Sequence, residues 1–153
     1  MKTASHAYLN SENAEVVACL QVALTALITL SHRAQEAHWN VKGPSFGPLH
    51  ELFGEFYAFL ADSSDVVAER IVQLMGQAVA CSCDGGLFGD ESMLLTTLGQ
   101  LSEGLAEELK AGIILFNEEL DDQITGDILI EIARELDKFI WKIQAHTQQI
   151  VQI

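Results

Sequence analysis

Apolar positions recur at three- and four-residue intervals along four long stretches of the chain, the pattern of helices that bury one face. In the third stretch Leu94, Leu95, Leu98, Leu101, Leu105, Leu109 and Ile113 make the stripe of a helix over about Glu91 to Glu119. In the fourth, Ile128, Ile132, Leu136, Phe139, Ile143 and Ile150 do so over about Thr125 to Ile150, with Thr125 as cap and Asp127 in the first turn. The first helix is capped by Asn10 or Ser11, carries Glu12 and Glu15 where the helix dipole favours negative charge, and runs to about His38. Lys42-Gly43-Pro44 breaks it. The second helix starts between Pro44 and Pro48, since proline is tolerated in a first turn, and continues to Met75, with Gly76 as its C-terminal cap.

Both prolines lie in that one turn, and long proline-free segments favour helices over a turn-rich β architecture. Residues Gln77 to Asp90, with Gly85, Gly86 and Gly89, read as a long loop with room for a short helical turn. Four helices of about 25 to 30 residues predict an all-α four-helix bundle. The longest connection falls between the second and third, where a bundle with one long crossover needs it. The 153 residues, 49% of them hydrophobic, fit a single domain over 1–153, the first ten forming a short tail.

Charge narrows the function. The formal net charge is −14, and the eight basic residues (Lys2, Arg33, Lys42, Arg70, Lys110, Arg134, Lys138 and Lys142) are scattered. Nucleic-acid binding rests on neutralising phosphates with clustered lysine and arginine, so this chain is expected to repel DNA and anionic membrane and to attract cations. The apolar run Val16 to Leu30 is too short to span a membrane, is interrupted by Gln21, Thr25 and Thr29, and follows acidic residues, unlike a signal peptide. Cysteines Cys19, Cys81 and Cys83 are odd in number and lack a zinc spacing, which predicts free thiols in a reducing cytoplasm.

The chemistry concentrates in His38-Trp39-Asn40-Val41-Lys42-Gly43, His50, Asp65 and Glu69. Imidazole with carboxylate is the ligand set of non-haem iron sites, and imidazole also suits zinc. With His50 at the origin of a helical wheel, Asp65 falls near 60° and Glu69 near 100°, on one side of the second helix. Asp65 and Glu69 are four residues apart and can grip one ion. His50 and Asp65, however, are about 22 Å apart along the axis. Two antiparallel copies of the helix across a two-fold axis solve this, with the midpoint near Tyr57 and Ala58. Without that juxtaposition, Asp65 and Glu69 are a solvated face, Arg70 their surface ion-pair partner, and Trp39 and Tyr57 packing aromatics. His6 and His32 read as surface or packing residues, and nothing assigns a role to His146.

These residues resemble the Dps family of ferritin-like mini-shells. The match runs through His38-Trp39-Asn40-Val41-Lys42-Gly43, Phe46, Leu49-His50-Glu51 and Tyr57 to Asp65-Val66-Val67-Ala68-Glu69-Arg70, with weaker likeness at Thr125-Gly126-Asp127-Ile128-Leu129 and Ile140-Trp141. The resemblance implies a hollow homo-dodecamer built from two-fold dimers, where Fe2+ is oxidised, usually by H2O2, at inter-subunit ferroxidase sites and stored as ferric mineral. It implies His38 and His50 from one subunit, Asp65 and Glu69 from its mate, Glu69 bridging two metals, and Trp39 intercepting an oxidising equivalent. It also implies acidic three-fold pores, for which Asp122, Asp127 and Glu131 are the matching residues.

Two departures qualify this. The family usually has aspartate four residues after the second histidine, where this chain has Gly54, and Glu51 and Glu55 point about 60° or more away. One iron position, on His38, Asp65 and Glu69, is therefore expected to persist, and the second, near His50, to weaken. Zinc is a competitor, and a metal-binding shell with attenuated ferroxidase activity is the alternative. The lysine-rich tail of DNA-coating members is also missing, so DNA binding is not expected.

Overall fold

The structure is a computed structural model that describes residues 11–81 and 85–147. The expected N-terminal tail with Lys2 and His6, Cys83, and Ile150 of the fourth apolar stripe lie outside the described residues. Helix α1 spans Ser11–Asn40, α2 Phe46–Gln73, α3 Glu91–Ile114 and α4 Gln123–Thr147, and no strand occurs among the described residues. Helix α1 packs chiefly on α2 and α3 chiefly on α4, so two helical hairpins are joined by the long crossover.

The first hairpin forms because α1 buries Leu20, Leu24, Leu27, Ala34 and Ala37 at helical spacing against Leu49, Phe53, Phe56, Leu60, Val67 and Ile71 of α2. By length and composition α1 could cross a membrane. In this fold its apolar side is instead the core of the bundle. Phe139 of α4 closes that core by stacking on Phe56 and Phe59, with ring centroids 4.7 and 5.3 Å away.

The helix ends differ in detail from the sequence-based expectation. Met75, not Gly76, adopts the left-handed conformation after α2, at φ 66°. Its N–H donates to the Val72 carbonyl, and the Gly76 N–H donates to Ile71, the paired bonds of a Schellman motif. Gly76 is needed for space, because a Cβ there would lie 2.8 Å from Val17 Cγ1 and 2.9 Å from Ile71 Cγ2. The third helix turns α-helical to π-helical over Leu115–Glu119, and Asp121 at φ 49° then ends it. Asp122, not Thr125, caps α4: its carboxylate accepts the Thr125 N–H at 3.1 Å and the Thr125 hydroxyl at 2.6 Å. Thr125 is fully buried in the first turn. Leu101 is 39% exposed, and Ser102 takes the core position instead, its hydroxyl satisfied by the Leu98 carbonyl at 2.6 Å.

The described part of the crossover contains no helical turn. It is held by side chains of α1. Gln21 exchanges two hydrogen bonds with the Val79 backbone at 2.9 and 3.0 Å, and the Glu36 carboxylate accepts the Leu87 N–H at 2.7 Å while pairing with Arg33.

Candidate metal centre

The turn between α1 and α2 creates the first half of the site. Gly43 has φ +123°, which favours glycine, and a Cβ there would also lie 2.6 Å from the Glu91 carboxylate. Glu91, in the first turn of α3, accepts the Ser45 N–H at 2.9 Å and fixes the turn from beneath. The last turn of α1 and the first turns of α2 are thereby held antiparallel, with His38 beside His50.

The two histidines are locked reciprocally. Nδ1 of His38 lies 2.7 Å from the His50 carbonyl, and Nδ1 of His50 lies 2.7 Å from the His38 carbonyl. A carbonyl oxygen only accepts, so each Nδ1 carries a proton, and the lone pair of a neutral ring lies on Nε2. Metal-binding histidines are oriented in this way, with the second nitrogen tied to a carbonyl. The rings are stacked, centroids 3.9 Å apart and inclined by 16°. Phe46 covers the outer face of His50 at 5.1 Å, and Tyr57 meets His38 edge-on at 5.4 Å. Gly54 lies against the His38 ring: a Cβ there would be 3.0 Å from both Cε1 and Nδ1.

The second half of the site is on α2. Asp65 and Glu69 are both exposed, one turn apart. Arg70, their ion-pair partner on the solvated-face alternative, points elsewhere: its Nε donates to Thr125 at 2.9 Å and its Nη2 pairs with Asp122 at 3.3 Å. Among the described residues no salt bridge engages Asp65 or Glu69. Asp65 borders a cavity of about 510 Å³ with His32 and Ser31 of α1. Glu69 edges a shallower groove with Val72 and Gln73.

One chain joins His38 to His50 and sets Asp65 near Glu69, but does not unite the pairs. No group of three or more metal-ligating side chains occurs among its described residues. Trp39 is 64% exposed and outside the His38 ring contacts, which are with His50 and Tyr57. Of the acidic series before and along α4, Asp122 serves as cap and ion-pair partner, while Asp127 and Glu131 are exposed. Glu131 lines a groove with Asp62 and Glu135 between α2 and α4. The reciprocal carbonyl bonds, the Tyr57 contact and the Gly54 contact were not visible in sequence, because they depend on how the hairpin closes.

The Ferritin-like domain model matches residues 17–153. The DNA protection during starvation protein 2 of Bacillus anthracis is 32% identical over 148 residues, covering 90% of this chain and 99% of that protein. The chain belongs to the ferritin-like Dps family. The Dps-family DNA protection during starvation protein of Agrobacterium fabrum is 30% identical, with 88% of each chain covered. Among solved structures, Dps from Bacillus brevis superposes with a TM-score of 0.85 at 25% identity, covering 92% of this chain and all (100%) of that one. Antigen TpF1 from Treponema pallidum superposes with a TM-score of 0.83 at 25% identity, over 96% of this chain and 100% of that one. Membership of the Dps family ties the chain to iron storage and to protection under stress.

Proposed function

We propose that this Dps-family protein oxidises Fe2+ with H2O2 at sites shared between two-fold-related subunits and stores the ferric product inside a dodecameric shell. The observation that carries the reading is the reciprocal His38–His50 lock, which orients two Nε2 atoms with no metal-holding carboxylate grouped with them among the described residues. Asp65 and Glu69 form the complementary pair, with no salt bridge among the described residues to compete with a metal. An antiparallel neighbour supplies each pair with the other. Iron here is substrate and cargo, and zinc competes for the same nitrogen and oxygen donors.

Each side chain has a role on this reading. His38, Asp65 and Glu69 bind the first Fe2+. The carbonyl-tied imidazoles are held aimed, so binding requires little reorganisation. His50 faces a weaker second position because Gly54 offers no oxygen. The cytoplasm, where Fe2+ is available and thiols stay reduced, is the expected setting. Asp127 and Glu131, with Asp122, would ring the three-fold pores and draw Fe2+ inward through the negative field of the chain.

Subunit mixing tests the shared site. A His38→Ala/His50→Ala variant and an Asp65→Ala/Glu69→Ala variant should each lose His-dependent oxidation. Dissociated and reassembled together, they regenerate one intact site in each mixed two-fold dimer, about a quarter of the wild-type site density for random pairing. No recovery on mixing, with assembly intact, refutes a site built by two chains.

Gly54 supports a second reading, a metal-binding shell with attenuated oxidation. It predicts tight Zn2+ or Fe2+ binding at one position with slow turnover by peroxide. The rate of Fe2+ oxidation relative to a His38→Ala/Glu69→Ala variant separates the two.

A further inference from the structure

Hydrogen peroxide takes two electrons, and one Fe2+ gives one. On the reading above the imbalance matters in this chain, because Gly54 offers no carboxylate and one strong iron position is expected. We propose that Tyr57 supplies the second electron, making it, rather than Trp39, the redox partner of the site. The proposal rests on the ferroxidase reading above.

Geometry carries the assignment. The Tyr57 ring meets the His38 ring edge-on, centroids 5.4 Å apart and planes inclined by 62°. Contact between the iron-binding imidazole and the phenol gives a direct route for an electron. Tyr57 sits one turn beyond Gly54 on α2, and its carbonyl accepts the Ser31 hydroxyl at 3.1 Å, which clamps this turn to α1. The ring is only partly exposed, so it is shielded more than an ordinary surface tyrosine. Trp39, although adjacent to His38 in sequence, projects to the surface, 64% exposed.

The chemistry balances in two stages. In the first, Fe2+ gives one electron and the Tyr57 phenol gives one electron and its proton. The O–O bond of peroxide breaks to one water molecule and one hydroxide, leaving Fe3+ and a neutral tyrosyl radical. In the second, a later Fe2+ at the same position returns an electron to the radical, which takes up a proton and becomes phenol again. Two Fe2+ are thus oxidised by one peroxide although the site holds one at a time. Without Tyr57, one-electron cleavage of peroxide yields hydroxide and a free hydroxyl radical.

The test uses the assembled protein loaded anaerobically with one Fe2+ per site, mixed with H2O2 and frozen for electron paramagnetic resonance. Parallel samples carry a hydroxyl-radical spin trap. Wild type should show a tyrosyl signal. Tyr57→Phe, which keeps the ring packing, should lose it, and trapped hydroxyl radical should rise severalfold. Trp39→Phe should leave both unchanged. A tyrosyl signal that survives in Tyr57→Phe, a tryptophan radical abolished in Trp39→Phe, or unchanged trapping would overturn the assignment while His38-dependent oxidation stands. Oxidation independent of His38 and Glu69 would overturn both the assignment and the ferroxidase reading.

Discussion

At the scale of single residues, Gly54 is the most consequential position. Glycine in a helix interior costs roughly 1 kcal/mol against alanine. Here it leaves room for the His38 ring, which is hemmed in by His50 on one side and the α2 backbone on the other. Any side chain at 54 must press the ring by a few tenths of an ångström toward the stack. Gly54→Ala isolates this steric effect and should weaken metal binding about tenfold, a typical consequence of disturbing what orients a ligand. Gly54→Asp adds a carboxylate to the same strain and should raise the iron stoichiometry relative to Gly54→Ala. Equal stoichiometry in the two, measured by anaerobic Fe2+ titration, counts against a missing ligand at this position.

Cys19 illustrates a different residue-scale effect. Burial raises its thiol pKa, and the negative charges of Glu108 and Glu15 raise it further. The thiolate is the reactive form, so Cys19 stays protonated and slow near neutral pH. Cys81 is exposed. Alkylation followed by mass spectrometry should label Cys81 well before Cys19, with Cys19 catching up only as pH rises. Faster labelling of Cys19 would mean that its surroundings open in solution.

At the scale of elements, the junction of α2, the π-helical turn and α4 is held by a compact polar group. Asp122 caps α4, and Arg70 binds both Asp122 and Thr125. Arg70 follows Glu69 directly, so this junction sets the helix turn that carries the carboxylate half of the proposed metal centre. Asp122→Ala removes the cap and leaves Arg70, whose side chain is 13% exposed, without its carboxylate. A loss of about 1–2 kcal/mol is expected. Asp122→Asn keeps a good capping oxygen and should lose less. Thermal unfolding of the two variants at one protein concentration measures the difference. Equal losses would assign the effect to the ion pair rather than the cap.

At the scale of the whole molecule, the distribution of charge decides what the protein meets. The chain carries 22 acidic residues against eight basic ones; Arg134, Lys138 and Lys142 share a face of α4, but Lys138 pairs with Glu135 and Lys142 with Glu55. Dps-family relatives are named for DNA protection. Electrostatic attraction to phosphate depends on clustered cations and their counterion release, which this composition does not support. No mobility shift of duplex DNA is expected at physiological salt. A shift that weakens steeply with added salt would reveal a basic surface that the sequence does not indicate. The same negative field should speed capture of Fe2+ at low ionic strength.

Periodicity and turn chemistry alone determined the four helices and the long crossover. Those signals are local or repetitive: stripes at three- and four-residue spacing, two prolines in one turn, and glycines where helices stop. The spacing of His50, Asp65 and Glu69 also indicated that one straight helix cannot gather them, since rise per residue is a fixed length. Only the tertiary structure decided which residues end the helices, because Met75, Asp122 and Thr125 take their positions from packing and hydrogen bonds contributed by neighbouring turns. It alone turned Arg70 away from Glu69 and tied His38 to the His50 carbonyl and His50 to that of His38. Such contacts join residues from different helices, and their geometry depends on how closely the hairpin closes, a distance that no one-dimensional pattern contains.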